Sequence, residues 1–389
     1  MKILTVLTYY RPHTSGLTIY AERLARALAR RGHQVTVMTT QYDKSLPAEE
    51  MLDGVKVIRV PVAMRVSKGV LAPSFGLVAT RLVWQHDVVQ MHLPQFDAPG
   101  VALRGRLLGK PAVLTYHCDL NLPPGLFNRF VNLVVKFLNN MAALLADRIV
   151  TYTQDYADHS SYLSRYRRKL RAVLPPVAML SPAPGAVESF AREHRTRERH
   201  PVIGMAARLA AEKGVEILLE ALPKVLEKHP KAQVLFAGQY QNVLGEQAYA
   251  DRLMPRIRAY EADGRWKFLG VLSPAEMAAF YSNLDVLVVP SLNSTEAFGL
   301  VQIEAMLNNV PCVASALPGV RRPVQMHNMG KIVPIGDSAA LAAALLEIFA
   351  EKEKYRCDTV TLMRLYDPDS AAARYENLFT ELLKQKGKW

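Results

Sequence analysis

The stretch STEAFGLVQIEAM, residues 294–306, sets two carboxylates, Glu296 and Glu304, in an E-x7-E pattern around a Phe-Gly pair and an apolar run. Upstream, GMAARLAAEKG (204–214) carries Arg208 and Lys213 as R-x4-K. A carboxylate only accepts hydrogen bonds, so it suits hydroxyl groups and is ill suited to phosphate. A guanidinium and an ammonium do the converse. Together the two pairs describe a ligand that is hydroxylated at its ends and anionic in its middle.

The local pattern says how those groups are carried. VVPSLNSTEAFGLVQIEAML reads as a strand ending near Pro290, a polar loop, and a helix starting about Phe298. Free N–H groups at a helix start favour an anion. Glu304 then lies about two turns in, roughly 12 Å along at 1.5 Å per residue. That is about the span from the sugar to the ribose of a nucleotide-sugar, with the pyrophosphate between. Arg208 follows a strand ending near Ala207 and Lys213 precedes a helix starting near Gly214, so one loop presents both cations to a leaving diphosphate.

Elements that must position these groups recur along the chain. Apolar runs predict strands at 2–8, 33–39, 55–60, 87–91, 112–116 and 148–152, then at 201–207, 232–238, 266–270, 285–290, 311–315 and 330–334. Helical periods separate them, as in YAERLARALARRGH (20–33), where Ala21, Leu24 and Leu28 share a face and Gly32 stops the helix. Strands alternating with helices predict parallel sheets covered on both sides. The pattern pauses at the Pro-rich 174–185 and the charged 192–200, which marks a domain junction. The division predicted is 1–190, with the last helical segment at about 371–389 packing back on it, and 198–370. The gap between two such halves, at the carboxyl ends of their strands, is the expected site.

Composition narrows the class. A chain of 389 residues, half of them hydrophobic, exceeds one typical core. The net charge of +13 attracts phosphates, nucleic acid or an anionic membrane. Cys118, Cys312 and Cys357 have neither disulfide-framework nor zinc spacing, which fits a reducing, cytoplasmic setting. No run of about 18 apolar residues occurs, so no transmembrane helix is expected.

The E-x7-E pair, the R-x4-K pair and the duplicated α/β halves resemble the retaining glycosyltransferases of family 4, which have the GT-B fold of two Rossmann-like α/β domains facing across a cleft. RPHTSG with LARALARRGHQVTVMTT, and WKFLGVLSPAEMAAFYSNLDVLVVPS, carry the likeness nearly end to end. The resemblance implies an amino-terminal acceptor domain and a carboxyl-terminal donor domain. It implies that Gly16 lies in the loop over the donor phosphates, where the family's second glycine is here Leu17. It implies that His117 in LTYHCDL stands beside the transferred sugar, and that Glu296 holds the sugar hydroxyls with backbone contacts from Phe298, Gly299 and Leu300. Glu304 is then the ribose ligand, with Arg208 and Lys213 on the diphosphate. The expected reaction moves a hexose from a nucleotide-sugar, UDP ahead of GDP and ADP, to a hydroxyl acceptor. It proceeds on one face of the sugar, with no metal and no cofactor.

Plainer readings stand beside these. Arg208 and Lys213 taken singly read as surface charges, and His117 as a satisfied strand-end histidine. In YDPDS (366–370), Asp369 or Ser370 reads as a helix cap rather than a metal motif, and Cys118 as a buried small apolar residue. GLFNRFVNLVVKFLNN (125–140) and YLSRYRRKLRAV (162–173) are either a buried helix and a solvated one, or a pair that docks on the anionic inner face of the cell membrane and favours a lipid or glycolipid acceptor. From another class, the charge and the Arg/Tyr cluster suggest a nucleic-acid binder, but no nucleic-acid motif accompanies them. A phosphorylase or an epimerase on the same architecture is the remaining alternative.

Overall fold

The computed structural model describes residues 1–66, 69–120, 125–178 and 182–388. It divides the chain into two compact units, Met1–Val177 with Leu365–Trp389, and Ala178–Arg364. Every apolar run read as a strand is one, and apart from Trp266–Gly270 and Gly330–Val333, at the two edges of the second sheet, these strands have buried residues on successive positions. Residues 179–181 of the Pro-rich stretch, and Trp389 at the chain end, lie outside the described residues.

In the first unit, the strands run from edge to edge as Leu170–Ala172, Arg148–Thr151, Ala112–Tyr116, Val88–Leu93, Lys2–Val6, Gln34–Gln41, Val55–Pro61 and Glu49–Leu52. All neighbours are parallel except the last pair. The helix Gly16–Arg30 buries Ala21, Leu24 and Leu28 on this sheet, Ser15 caps its start, and Gly32 turns the chain away at φ +86°. In the second unit, the order is Trp266–Gly270, Gln233–Ala237, Val202–Ala206, Val286–Val289, Cys312–Ser315 and Gly330–Val333, all parallel. Its core gathers Ile203, Val234, Phe236, Val286, Val288 and Val313 from these strands.

Four expectations are corrected. The boundary falls at 177/178 instead of 190–198. The helix Ala186–Glu193 belongs with the second unit, where Phe190 meets Phe280 with ring centroids 6.5 Å apart and Asn283 Nδ2 donates to the Val187 carbonyl. The last helix runs Pro368–Gln385, and its cap is Asp367, whose carboxylate accepts from the Asp369 N–H at 2.7 Å, while Asp369 pairs with Arg30 at 2.9 Å. Within the first unit, Tyr375 of that helix reaches the Tyr20 hydroxyl and Thr115 Oγ1, each at 2.9 Å. Cys118 is half-buried, not buried.

The fourth correction is the basic segment 162–173. It is a 3₁₀ turn, Leu163–Lys169, leading into the strand Leu170–Ala172. Lys169 donates to the Ala143, Leu144 and Ala146 carbonyls at 2.9, 2.9 and 2.7 Å, closing the carboxyl end of the helix Leu126–Leu145. The two stretches that the sequence leaves as separate helices are therefore one assembly.

Candidate functional site

In the second unit, the site is built by two loops that leave neighbouring parallel strands. The strand Val202–Ala206 is followed by Arg208, a 3₁₀ turn Ala211–Lys213, and Gly214 in the left-handed region at φ +67°. Val286–Val289 is followed by the loop that carries Glu296. The loops are tied through the backbone, Leu292 N–H donating to the Glu212 carbonyl at 2.9 Å. They also meet at Gly214, where an added Cβ would stand 2.2 Å from the Pro290 carbonyl oxygen. Glycine is thus required there by both conformation and space.

That closeness sets Lys213 Nζ 2.6 Å from Glu296 Oε2, with the side chains 20% and 21% exposed. Burial works against the charge of Lys213, but the Glu296 carboxylate and the hydrogen bond between them outweigh it, so its pKa is raised. The ammonium is therefore a fixed cation through the neutral range. Arg208 is exposed and pairs with Glu212 at 3.1 Å. The structure thus brings Lys213 and Glu296 into contact and keeps Arg208 in the same loop.

The helix after Glu296 starts at Leu300, not at Phe298, and runs to Met306. Phe298 is drawn into the core and Gly299 takes φ +78°, so the chain cannot become helical before them. Glu296 lies in the preceding loop, and its Oε1 accepts from the Gly299 N–H at 3.0 Å. That N–H, expected to face a phosphate, is satisfied within the protein. Glu304, half-buried in the helix, accepts at 2.9 Å from the hydroxyl of Tyr281.

Sequence reasoning missed the residues that hold this loop. Gln302 is fully buried and donates from Nε2 to the Phe298 and Val320 carbonyls, both at 2.9 Å. Asn293 accepts from the Thr295 N–H and hydroxyl at 3.1 and 2.6 Å, tightening the turn before Glu296. Only a buried glutamine on an otherwise apolar helix face, in VQIEAM, signalled the first of these.

Gly16 and His117 belong to the first unit. Gly16 is exposed, has no positive φ, and a Cβ built on it meets nothing within 4 Å. The protein itself therefore does not demand glycine at this position. His117 is buried at the end of the strand Ala112–Tyr116, with Nε2 2.8 Å from His92 Nδ1 and Nδ1 bonded to the Tyr152 hydroxyl. Tyr20, one turn into the helix that starts at Gly16, sets its ring edge-on to His117 with centroids 5.0 Å apart. Burial, reinforced by His92, holds the His117 pKa well below the usual imidazole value, and burial pushes His92 down to about 3. Both rings are neutral at physiological pH, so His117 offers orientation and no counter-charge. Both its nitrogens are engaged inside the unit, a feature with no local sequence signal because His92 is distant in the chain.

Residues 187–357 match the family described as glycosyl transferases group 1, and residues 15–176 match the glycosyl transferase 4-like domain. The chain is 29% identical over 361 residues to the 2-deoxystreptamine N-acetyl-D-glucosaminyltransferase of Streptomyces fradiae, covering 88% of this chain and 84% of that one. It is 26% identical over 391 residues to the phosphatidyl-myo-inositol mannosyltransferase of Mycobacterium leprae, covering 97% and 96%. Among solved structures, Anabaena Alr3699/HepE in complex with UDP and glucose superposes with a TM-score of 0.76 at 18% identity, over 98% of this chain and 99% of that one. Sucrose-phosphate synthase from Thermosynechococcus elongatus superposes with a TM-score of 0.75 at 20% identity, over 99% of each chain. At these identities the solved structures speak for the fold.

Proposed function

The chain belongs to the family 4-type glycosyltransferases with the GT-B fold and is an enzyme acting with nucleotide-sugar donors, and from that premise we propose that it moves a hexose from a UDP-sugar to a hydroxyl of a lipid or glycolipid, with retention and without a metal. The observation that carries this reading is the contact of Lys213 with Glu296 at 2.6 Å in a partly buried loop pair. A permanent cation beside a carboxylate suits a substrate in which a diphosphate adjoins a polyol. As the diphosphate departs, Lys213 and Arg208 stabilise the growing negative charge. Glu296, exchanging Lys213 for the sugar, accepts from its hydroxyls, and Glu304 accepts from the ribose. Phe298 and Leu300 supply backbone contacts while the Gly299 N–H stays with Glu296, and Gly16 and His117 keep the roles that the resemblance implies. The acceptor hydroxyl attacks from the side the diphosphate leaves and gives its proton to a phosphate oxygen.

The test is thermal melting against a panel of UDP-, GDP- and ADP-sugars, with and without EDTA. A ligand that binds only the folded state at 100 times its Kd stabilises it by about 2.7 kcal/mol. A UDP-sugar is expected to raise the melting temperature most, by the same amount in EDTA. A shift confined to GDP- or ADP-sugars would move the donor assignment. A shift abolished by EDTA and restored by Mn²⁺ would overturn metal independence.

The acceptor half of the proposal rests on the helix Leu126–Leu145. Leu126, Phe130, Leu133, Phe137 and Leu144 follow one helical stripe and are 84%, 64%, 67%, 62% and 57% exposed. Arg129 and Lys136 are exposed on the same helix, and Arg165, Arg167 and Arg168 on the turn that closes it. A basic, apolar face of this kind suits an anionic lipid surface. The relative from Mycobacterium leprae is named for a phosphatidyl lipid, which supports the same acceptor class. No helix among the described residues is long and apolar enough to cross a membrane. The protein is expected to float with phosphatidylglycerol vesicles and to stay behind with phosphatidylcholine alone. The double variant Phe130→Asp/Phe137→Asp should lose flotation and keep the wild-type melting temperature, since both side chains are exposed. Indifference of the wild type to lipid charge would end this reading.

A further inference from the structure

We propose that Arg59, which lies in the strand Val55–Pro61 outside the residues named above, is a positioning residue that locks the loop ahead of Gly16 into its donor-binding form. The inference rests on the reading of that loop given above. The Arg59 side chain is 0% exposed, an unusual place for a guanidinium. Nη1 donates to the Pro47 carbonyl at 3.0 Å, Nη2 to the Arg11 carbonyl at 2.9 Å, and the Glu50 carboxylate neutralises the group. Burying a cation costs several kcal/mol unless it is fully paired. Here Glu50 and the two carbonyls pair the terminal nitrogens while the buried Nε makes no hydrogen bond among the described residues, and that pairing fastens two loops to one strand.

The loop needs such a tie. Tyr10 is buried, but Arg11 and Pro12 beside it face a cavity of about 510 Å³, with Leu46, Pro47 and Glu50 on its other walls. Within the loop, Tyr9 stacks on His13 with ring centroids 4.9 Å apart and the His13 N–H donates to the Tyr10 carbonyl at 3.1 Å, and both ends are restrained as well. Thr8 O accepts from Thr39 Oγ1 at 3.0 Å and from the Thr40 N–H at 3.2 Å, and Ser15 caps the helix that follows. Where the loop borders the cavity, Arg11 ties it to two other elements, its carbonyl meeting Arg59 and its Nε meeting Glu22 at 3.0 Å. The guanidinium gives each carbonyl its own nitrogen, two nitrogens held apart in a rigid plane, whereas lysine would have to serve both carbonyls from one nitrogen.

Donor KM, kcat and melting temperature of Arg59→Lys and of Arg59→Met/Glu50→Met test the proposal. Lysine keeps the charge opposite Glu50 and loses the fork. The double variant removes both charges, an exchange for apolar groups that is often neutral for stability. Both are expected to raise donor KM about tenfold or more, with a smaller change in kcat, because a misplaced binding loop weakens donor capture. The double variant should melt with the wild type, separating loop placement from stability. Wild-type donor KM in a double variant of wild-type melting temperature overturns the proposal, and should the double variant fail to fold, wild-type KM in Arg59→Lys does so. Gly16→Ala, which meets no internal atom, checks the underlying reading. A raised KM there with unchanged Arg59 variants condemns the positioning role alone. An unchanged KM in Gly16→Ala with raised values in the Arg59 variants keeps the positioning role and removes Gly16 from the donor loop.

Discussion

Lys213→Ala is expected to lower turnover by about 10²- to 10³-fold, the usual loss when one preorganised group facing developing negative charge is removed, while the melting temperature stays near that of the wild type. The side chain is only 20% exposed, so its field is weakly screened, and its raised pKa keeps it charged throughout the neutral range. The loss should fall on kcat more than on KM, because the charge it meets is largest after the bond to the diphosphate has begun to break. Stability should hold for two reasons. Glu296 keeps the Gly299 N–H at 3.0 Å, and a carboxylate 21% exposed still reaches water. A pair with that access lies between an exposed pair, worth about 0–1 kcal/mol, and a buried one, and water reaching Glu296 keeps the loss toward the smaller figure. Single-turnover kinetics beside a melting curve decide the matter: a folded variant that turns over like the wild type removes Lys213 from the chemistry.

Most of the scaffold and half of the site were legible beforehand, for reasons that differ by residue. Central parallel strands are buried on both faces, so they appear as bare apolar runs, and DVLVVP and PCVAS are examples. Lys213 and Glu296 were legible because each follows such a strand, and neighbouring parallel strands bring the loops at their carboxyl ends together. The edge strand Glu49–Leu52 was not legible, since EEML has two charges and pairs with only one neighbour, antiparallel, at the sheet's rim. Nor was the 162–173 segment. Its Arg/Tyr spacing suggests a helix face, but Tyr162 spends its hydroxyl on the Asn139 carbonyl at 2.7 Å and Lys169 closes a neighbouring helix, which are contacts that sequence spacing does not encode. The helix start moved from Phe298 to Leu300 because burial of an aromatic ring and a left-handed glycine override local propensity. His92 and Arg59 escaped notice for a common reason: each sits inside an apolar strand pattern, and what it binds lies in another segment.

Gly214→Ala should do what Lys213→Ala does not, lowering stability and turnover together. Alanine at φ +67° costs about 1–2 kcal/mol. Its Cβ would also lie 2.2 Å from the Pro290 carbonyl oxygen, 3.1 Å from that carbonyl carbon and 3.3 Å from Leu292 Cγ, so backbone must move. Overpacking of this sort costs a further 1–3 kcal/mol or so. At about 2–4 °C per kcal/mol for a unit of this size, the melting temperature should fall by roughly 5–15 °C. The displaced atoms belong to the loop that carries Glu296, and the shift also strains the Leu292 to Glu212 backbone bond of 2.9 Å. Lys213 and Glu296 then separate, and turnover falls although neither has been changed. Gly214→Asn distinguishes the two contributions. Asparagine tolerates the left-handed region better than alanine but carries the same Cβ. If the contact with Pro290 dominates, Asn and Ala are equally damaging; if conformation alone mattered, Asn would recover most of the loss. Wild-type melting and turnover in Gly214→Ala would mean that the two loops are not pressed together at Pro290, and with that the basis for the Lys213 to Glu296 contact would be gone.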